Sequence, residues 1–143
     1  MKKKIIIIDN SDLSYSGEDI NGVILRGTET SLILLAEQFV KIGFEVDFCN
    51  NIFDIKKIKG VKYFNKKKID NKILYNLAIV VSDANQFDNV NALKKVIFSN
   101  SNQPFEKFIR KNQLIPFFKH KPIVVTLCNY QNQKRSFIVL IIT

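Results

Sequence analysis

The apolar positions of the chain fall into short β-branched runs set between polar turns and stretches of helical spacing. Lys4 to Asp9 (KIIIID) is a continuous apolar run closed by an acid, which predicts a strand buried on both faces. From near Thr28 the pattern changes. Leu32, Leu35, Ala36, Phe39 and Val40 recur at helical spacing, and Ile33 and Leu34 widen that stripe, predicting a helix buried on more than one side. Thr28 is placed to cap it, Glu29 sits in the first turn, Lys41 closes the last turn and Gly43 ends it. Phe44 to Cys49 (FEVDFC) alternates as a half-covered strand does. These pieces form a strand–helix–strand unit centred on residues 22–48, with further units added to it.

Further along, residues 50–59 read as a turn or short helix and Val61 to Phe64 as a short strand near an edge. The Lys66–Lys68 run and the residues to Tyr75 read as a solvated connection with some helix. Leu77 to Ser82, Lys95 to Ser99 and Ile123 to Cys128 read as strands. Short helices are predicted over 89–93 and after Pro104. The alternation predicts an α/β fold: a Rossmann-like, mostly parallel sheet with helices on both faces. Residues 136–143 (SFIVLIIT) form an apolar tail, from which the sheet is expected to be incomplete at its C-terminus.

In such a sheet, ligands bind beyond the carboxyl ends of the strands. Polar clusters follow the predicted strands at Asp9-Asn10-Ser11, Asp83-Ala84-Asn85, Asn100-Ser101-Asn102 and Asn129-Tyr130-Gln131, so parallel strands bring them to one edge. Polar residues also end strands for purely structural reasons. The connection from Asn10 to Arg26 is long for a strand-to-helix loop, where about 2–6 residues is usual. Its glycines match no nucleotide fingerprint: Gly22 to Gly27 is not G-x-G-x-x-G, and no Gly-Lys-Ser/Thr follows. What remains is Gly27 at a helix start, where free N–H groups and the helix dipole can hold an anion, with Arg26 beside it. Close packing of the helix on the sheet would equally require a glycine there.

Composition narrows the classes. A chain of 143 residues with 46% hydrophobic content suits one packed domain. The net charge of +9 points to an anionic partner or to a lysine-rich coding bias. Arginine is scarce and no aromatic–basic ribbon occurs, so no nucleic-acid partner is expected. No run approaches the roughly 20 apolar residues of a membrane span. Cys49 and Cys128 have no metal or redox spacing and follow apolar runs, as buried thiols in a reducing cytoplasm do. His120, flanked by lysines, reads as solvated, and the loop acids Asp12, Glu18 and Asp19 have no metal-ligand spacing.

The stretch RGTETSLILLAEQFVKIGFEVDF resembles the start of the family-four, GT-B-type glycosyltransferases. Their Gly-Gly-x-Glu, mid-helix Leu-Ala and Gly-His-Glu-Val stand here as Arg26-Gly27-Thr28-Glu29, Leu35-Ala36 and Gly43-Phe44-Glu45-Val46. KKVIFSNSNQPFEKFIRK and PIVVTLCNYQ resemble later parts of the same domain more loosely. The resemblance implies that residues 1–143 are the acceptor-side domain of an enzyme moving a sugar from a nucleotide-sugar to a glycan or lipid-linked acceptor. It implies a nucleotide-sugar co-substrate, no required cofactor or metal, and a cytoplasmic protein, peripheral at the inner face of an anionic membrane. Gly22, Arg26, Gly27 and Thr28 would face the donor phosphates; Asp83, Asn85, Asn100 and Asn102 would lie on the acceptor side. The chain departs from the pattern at Arg26, where the first glycine is usual, and at Asn100, where a histidine is common. It also lacks the carboxyl-terminal domain with its Glu-x7-Glu motif, so alone it is expected to be inactive. The rival expectation is a stand-alone α/β module that binds a nucleotide or phosphate without catalysis.

Overall fold

The computed structural model describes residues 1–22 and 25–100, together with the backbone of 123–127 and 137–142. β1 (Lys4–Asp9), β2 (Glu45–Asn50), β3 (Lys56–Ile58), β4 (Val61–Asn65), β5 (Leu74–Val81), β6 (Asn91–Asn100), β7 (Ile123–Leu127) and β8 (Phe137–Ile142) form one sheet. Its order is β3-β4-β2-β1-β5-β6-β8-β7. β4, β2, β1, β5 and β6 are mutually parallel. β3 pairs antiparallel with β4, and β8 runs antiparallel between β6 and β7. The chain builds outward from β1 to β2 and β4, then returns to the other side of β1 with β5 and β6. That is the Rossmann order, and it puts the topological switch point between β1 and β5. The mostly parallel α/β architecture expected from the alternation is the one observed.

β1 explains why the sheet is two-sided. Ile5 and Ile7 enter one buried cluster with Phe48, Tyr63, Leu32, Ile33 and Ala36, while Ile6 and Ile8 enter another with Ala78, Val80, Phe87 and Ile97. Alternate residues of a strand point to opposite faces, so a strand covered on both must be apolar throughout. α1 (Gly27–Lys41) covers the first face. A 3₁₀ helix at Ala84–Asn89 brings Phe87 to the second.

Several local expectations are corrected. Leu34 is 46% exposed, because α1 presents only one side to the sheet and its outer side to solvent. The 3₁₀ helix lies at Ala84–Asn89, and residues 91–93 belong to β6 instead. β5 begins at Leu74 rather than Leu77. Within the apolar tail, β8 adds a strand between β6 and β7. The helix predicted after Pro104 lies outside the described residues.

The stretch read as a turn or short helix contains β3, and β4 is therefore one strand in from the edge. The two-residue turn Lys59–Gly60 has positive φ at both positions (47° and 84°), the geometry that matches the twist of a tight hairpin. Lys59 ties the hairpin to α1 through Glu37, which is almost fully buried (Nζ to Oε2, 3.2 Å). A Cβ on Gly60 would stand 2.6 Å from Val40 Cγ1. Gly60→Ala is therefore expected to destabilise the fold by about 1–3 kcal/mol through strained backbone and displaced Val40. A denaturant midpoint equal to that of the parent would contradict this.

Candidate functional site

The carboxyl edge at the switch point holds a cavity of about 340 Å³ between the ends of β1 and β5 and the start of α1. Asp9, Asn10, Thr28, Glu29, Ser82 and Asp83 are among its lining residues. Two strands end there and one helix begins there, so three elements converge on it without any need for a glycine fingerprint.

Each carboxylate in the lining already holds local backbone or side-chain donors. Asp9 is 3% exposed; it accepts from the Tyr15 hydroxyl at 2.6 Å and from the Ser11 amide at 2.9 Å. Glu29 accepts the Arg26 amide at 3.1 Å, which turns the acid at the third helical position into the cap of α1. Asp83 accepts from the Asn10 and Gln86 side-chain amides and from the Asn85 amide. The carboxylates are thus held in fixed orientations, with lone pairs remaining to accept from a ligand. Ser82 has φ 56°, a left-handed conformation costly for a residue with a Cβ, and its amide donates to the Phe98 carbonyl. Such strain, here in the cavity wall, is characteristic of ligand sites.

A second cavity, of about 550 Å³, meets the first at Asn10. Lys66, Lys67, Gln86 and Asn89 line it. Lys66 reaches back to donate to the carbonyls of Asn10 and Ser11 at 3.0 and 3.1 Å. It thereby fixes the loop after β1 against the turn after β4. Asn50, fully buried, does the same deeper down: its side chain donates to the Tyr15 carbonyl and accepts from the Ile52 amide.

Thr28 and Asp83 are brought to the same cavity. Gly27 opens α1, and a Cβ there would meet nothing within 4 Å, so packing on the sheet does not require this glycine. Arg26 is the residue before the helix, with an exposed side chain. Gly22 ends a 3₁₀ turn, donating to the Asp19 carbonyl, and does not line the cavity. Asn85 is exposed on the 3₁₀ helix that follows Asp83. Asn100 is the last residue of β6, at the same edge, while Asn102 and the cluster at 129–131 lie outside the described residues. Lys66 and Tyr15 were not singled out by the sequence. Lys66 acts on residues that only the β1–β2–β4 pairing brings near, and Tyr15 reaches Asp9 by the fold of the loop after β1, which no sequence motif marks.

Three buried tyrosines set the alkaline limit. Burial, the largest cause for each, pushes Tyr15, Tyr63 and Tyr75 well above the usual tyrosine value, and Asp9, Glu37 and Asp47 respectively add to it. A raised folded-state value leaves stability intact below the unfolded value near 10. Above it, the unfolded chain loses protons that the folded one keeps. Stability is expected to fall from about pH 10 upward by as much as about 1.4 kcal/mol per tyrosine per pH unit. Tyrosinate absorbance should appear together with loss of circular dichroism. Ionisation of more than one of the chain's four tyrosines in a still-folded protein would contradict the assignment.

No protein-family model matches the chain. No curated protein matches it either. Among solved structures it is similar to phosphoethanolamine N-methyltransferase 1 of Haemonchus contortus, in complex with phosphoethanolamine and S-adenosylhomocysteine. The TM-score is 0.52 at 11% identity, over 98% of this chain and 36% of that one. The chain thus spans about a third of the methyltransferase's length, and what the two share is the Rossmann-like fold.

Proposed function

We propose that residues 1–143 are the acceptor-side domain of a GT-B-type glycosyltransferase, which takes part in moving a sugar from a nucleotide-sugar to a glycan or lipid-linked acceptor. The observation that carries this reading is that Thr28 and Glu29, from the part of the chain with the most specific family resemblance, line the switch-point cavity with Asp9 and Asp83, while Gly27 opens the same helix. Open space at Gly27 suits a ligand approaching the helix start, where an anion is favoured. The oriented carboxylates and amides around it suit hydroxyl groups, which donate to and accept from such groups at once. In this reading the donor phosphates lie over Gly27 and Thr28, and Arg26 adds a cation at the rim. Asp83 and Asn85 face the acceptor, and Asn100 ends β6 at the same edge; Asn102, outside the described residues, is assigned to the acceptor side by the family resemblance alone. A cytoplasmic site of action and peripheral contact with an anionic membrane belong to the same proposal. Among the described residues no helix is long and apolar enough to cross a membrane.

A second reading, a nucleotide- or phosphate-binding module without catalysis, draws on the pairing of β8 on both sides within the sheet. Ligand-observed NMR separates the possibilities. The chain is expected to bind nucleotide-sugars, and Gly27→Leu, which fills the open space, is expected to weaken binding at least tenfold. Binding of the nucleotide but not of the sugar moiety would favour the module. Failure of every nucleotide-sugar, or binding of S-adenosylmethionine in their place, would overturn the glycosyltransferase reading.

A further inference from the structure

The opposite edge of the sheet, at the amino ends of the parallel strands, combines positive charge with exposed apolar surface. Lys2 and Lys3 precede β1, Lys72 precedes β5 and Lys94 lies in the first half of β6; all four are exposed. Of the nearby acids one is paired with a lysine, and two accept hydrogen bonds from uncharged donors. Glu45 pairs with Lys4 at 3.4 Å, Asp47 accepts from the Tyr75 hydroxyl at 2.6 Å, and Asp70 accepts the Lys72 amide. Between the lysines lies a cavity of about 440 Å³ whose lining includes Lys2, Lys3, Ile73 and Leu74. Leu74 is 51% exposed and Leu93, on the neighbouring strand, 65%. A lone exposed leucine is ordinary. Two of them beside an apolar cavity, at an edge where lysines outnumber acids, are a surface with a preference.

We propose that this amino edge docks on an anionic lipid surface, its lysines on the headgroups and Leu74 and Leu93 in the acyl boundary. Clustered lysines gain from anionic headgroups, and apolar side chains gain only where there is hydrocarbon to enter. A nucleic acid would satisfy the lysines but offer the leucines nothing, and among the described residues no aromatic stacking platform accompanies them. The consequence is an orientation: the switch-point cavity faces away from the membrane, toward an acceptor group displaced from the lipid surface. The assignment names the surface for the membrane contact proposed above, and vesicle binding tests it without any sugar transfer.

Co-sedimentation of the full chain with mixed phosphatidylglycerol–phosphatidylcholine vesicles is expected, with none on phosphatidylcholine alone. Lys3→Gln should weaken binding on the order of fivefold, as should Lys94→Gln. Lys68→Gln, which removes the same charge from the carboxyl edge, should leave it unchanged. Leu74→Ser with Leu93→Ser should abolish the binding that survives high salt. Equal losses for Lys3→Gln and Lys68→Gln would mean that only net charge matters and would overturn the proposal. So would binding to neutral vesicles, or a single-stranded oligonucleotide bound more tightly than vesicles and untouched by the leucine changes.

Discussion

Phe48→Ala is expected to produce the largest loss of stability of any single core truncation in the chain. Phe48 is fully buried, its ring stacked on Tyr63 at 5.2 Å between centroids and met edge-on by Tyr15 at 5.6 Å. It sits on β2, in the cluster joining the sheet to α1. Truncation removes both ring contacts and opens a cavity where β2, β4 and the loop after β1 meet, a change costing about 3–5 kcal/mol. A domain of this size has about 5–15 kcal/mol in total, so the loss is a large share. Phe48→Leu, which refills part of the volume, should recover a substantial part of it. Denaturant unfolding followed by circular dichroism measures both; a Phe48→Ala midpoint within error of the parent would contradict the core assignment.

Asp9→Ala should have the second largest effect, acting on stability and ligand binding together. It leaves the Tyr15 hydroxyl and the Ser11 amide without their acceptor in a buried setting. Each orphaned donor costs about 1–3 kcal/mol. The loop after β1 would lose its anchor to the strand end, and the switch-point cavity its most buried wall. Tyr15→Phe keeps the ring on Phe48 and removes only the hydroxyl, so it separates the hydrogen bond from the packing. Asp9→Ala is expected to lower the unfolding free energy and to abolish nucleotide-sugar binding, with Tyr15→Phe intermediate in both. A stable Asp9→Ala protein with undiminished binding would move the site elsewhere.

The parts of this fold that show in the sequence are those where local pattern and burial coincide. β1 announces itself because both of its faces are covered, so all four isoleucines are needed. β2 alternates, and α1 keeps a regular stripe ended at Gly43, whose φ of 97° explains the glycine. β3 does not show. A short edge strand carrying Lys56 and Lys57 has no apolar pattern, and exposed edges favour lysine. The first turns of β5 and β6 are hidden for a similar reason: Leu74 and Leu93 are exposed where a strand pattern would want them buried. The site divides the same way. Strand ends at Asp9 and Asp83 can be read from polar clusters after apolar runs. The wiring that shapes the cavity, Lys66 to the Asn10 carbonyl and Asn50 to the Tyr15 carbonyl, spans 56 and 35 residues and leaves no local trace.

The central claim, that a nucleotide-sugar is held at the switch point, is tested most directly by amide hydrogen exchange of the full chain with and without nucleotide-sugar. The account predicts slowed exchange confined to residues 9–11, 27–29 and 82–85, with the amino edge unaffected. Slowed exchange elsewhere on the sheet with none at these three segments, or no change at saturating ligand, would contradict it.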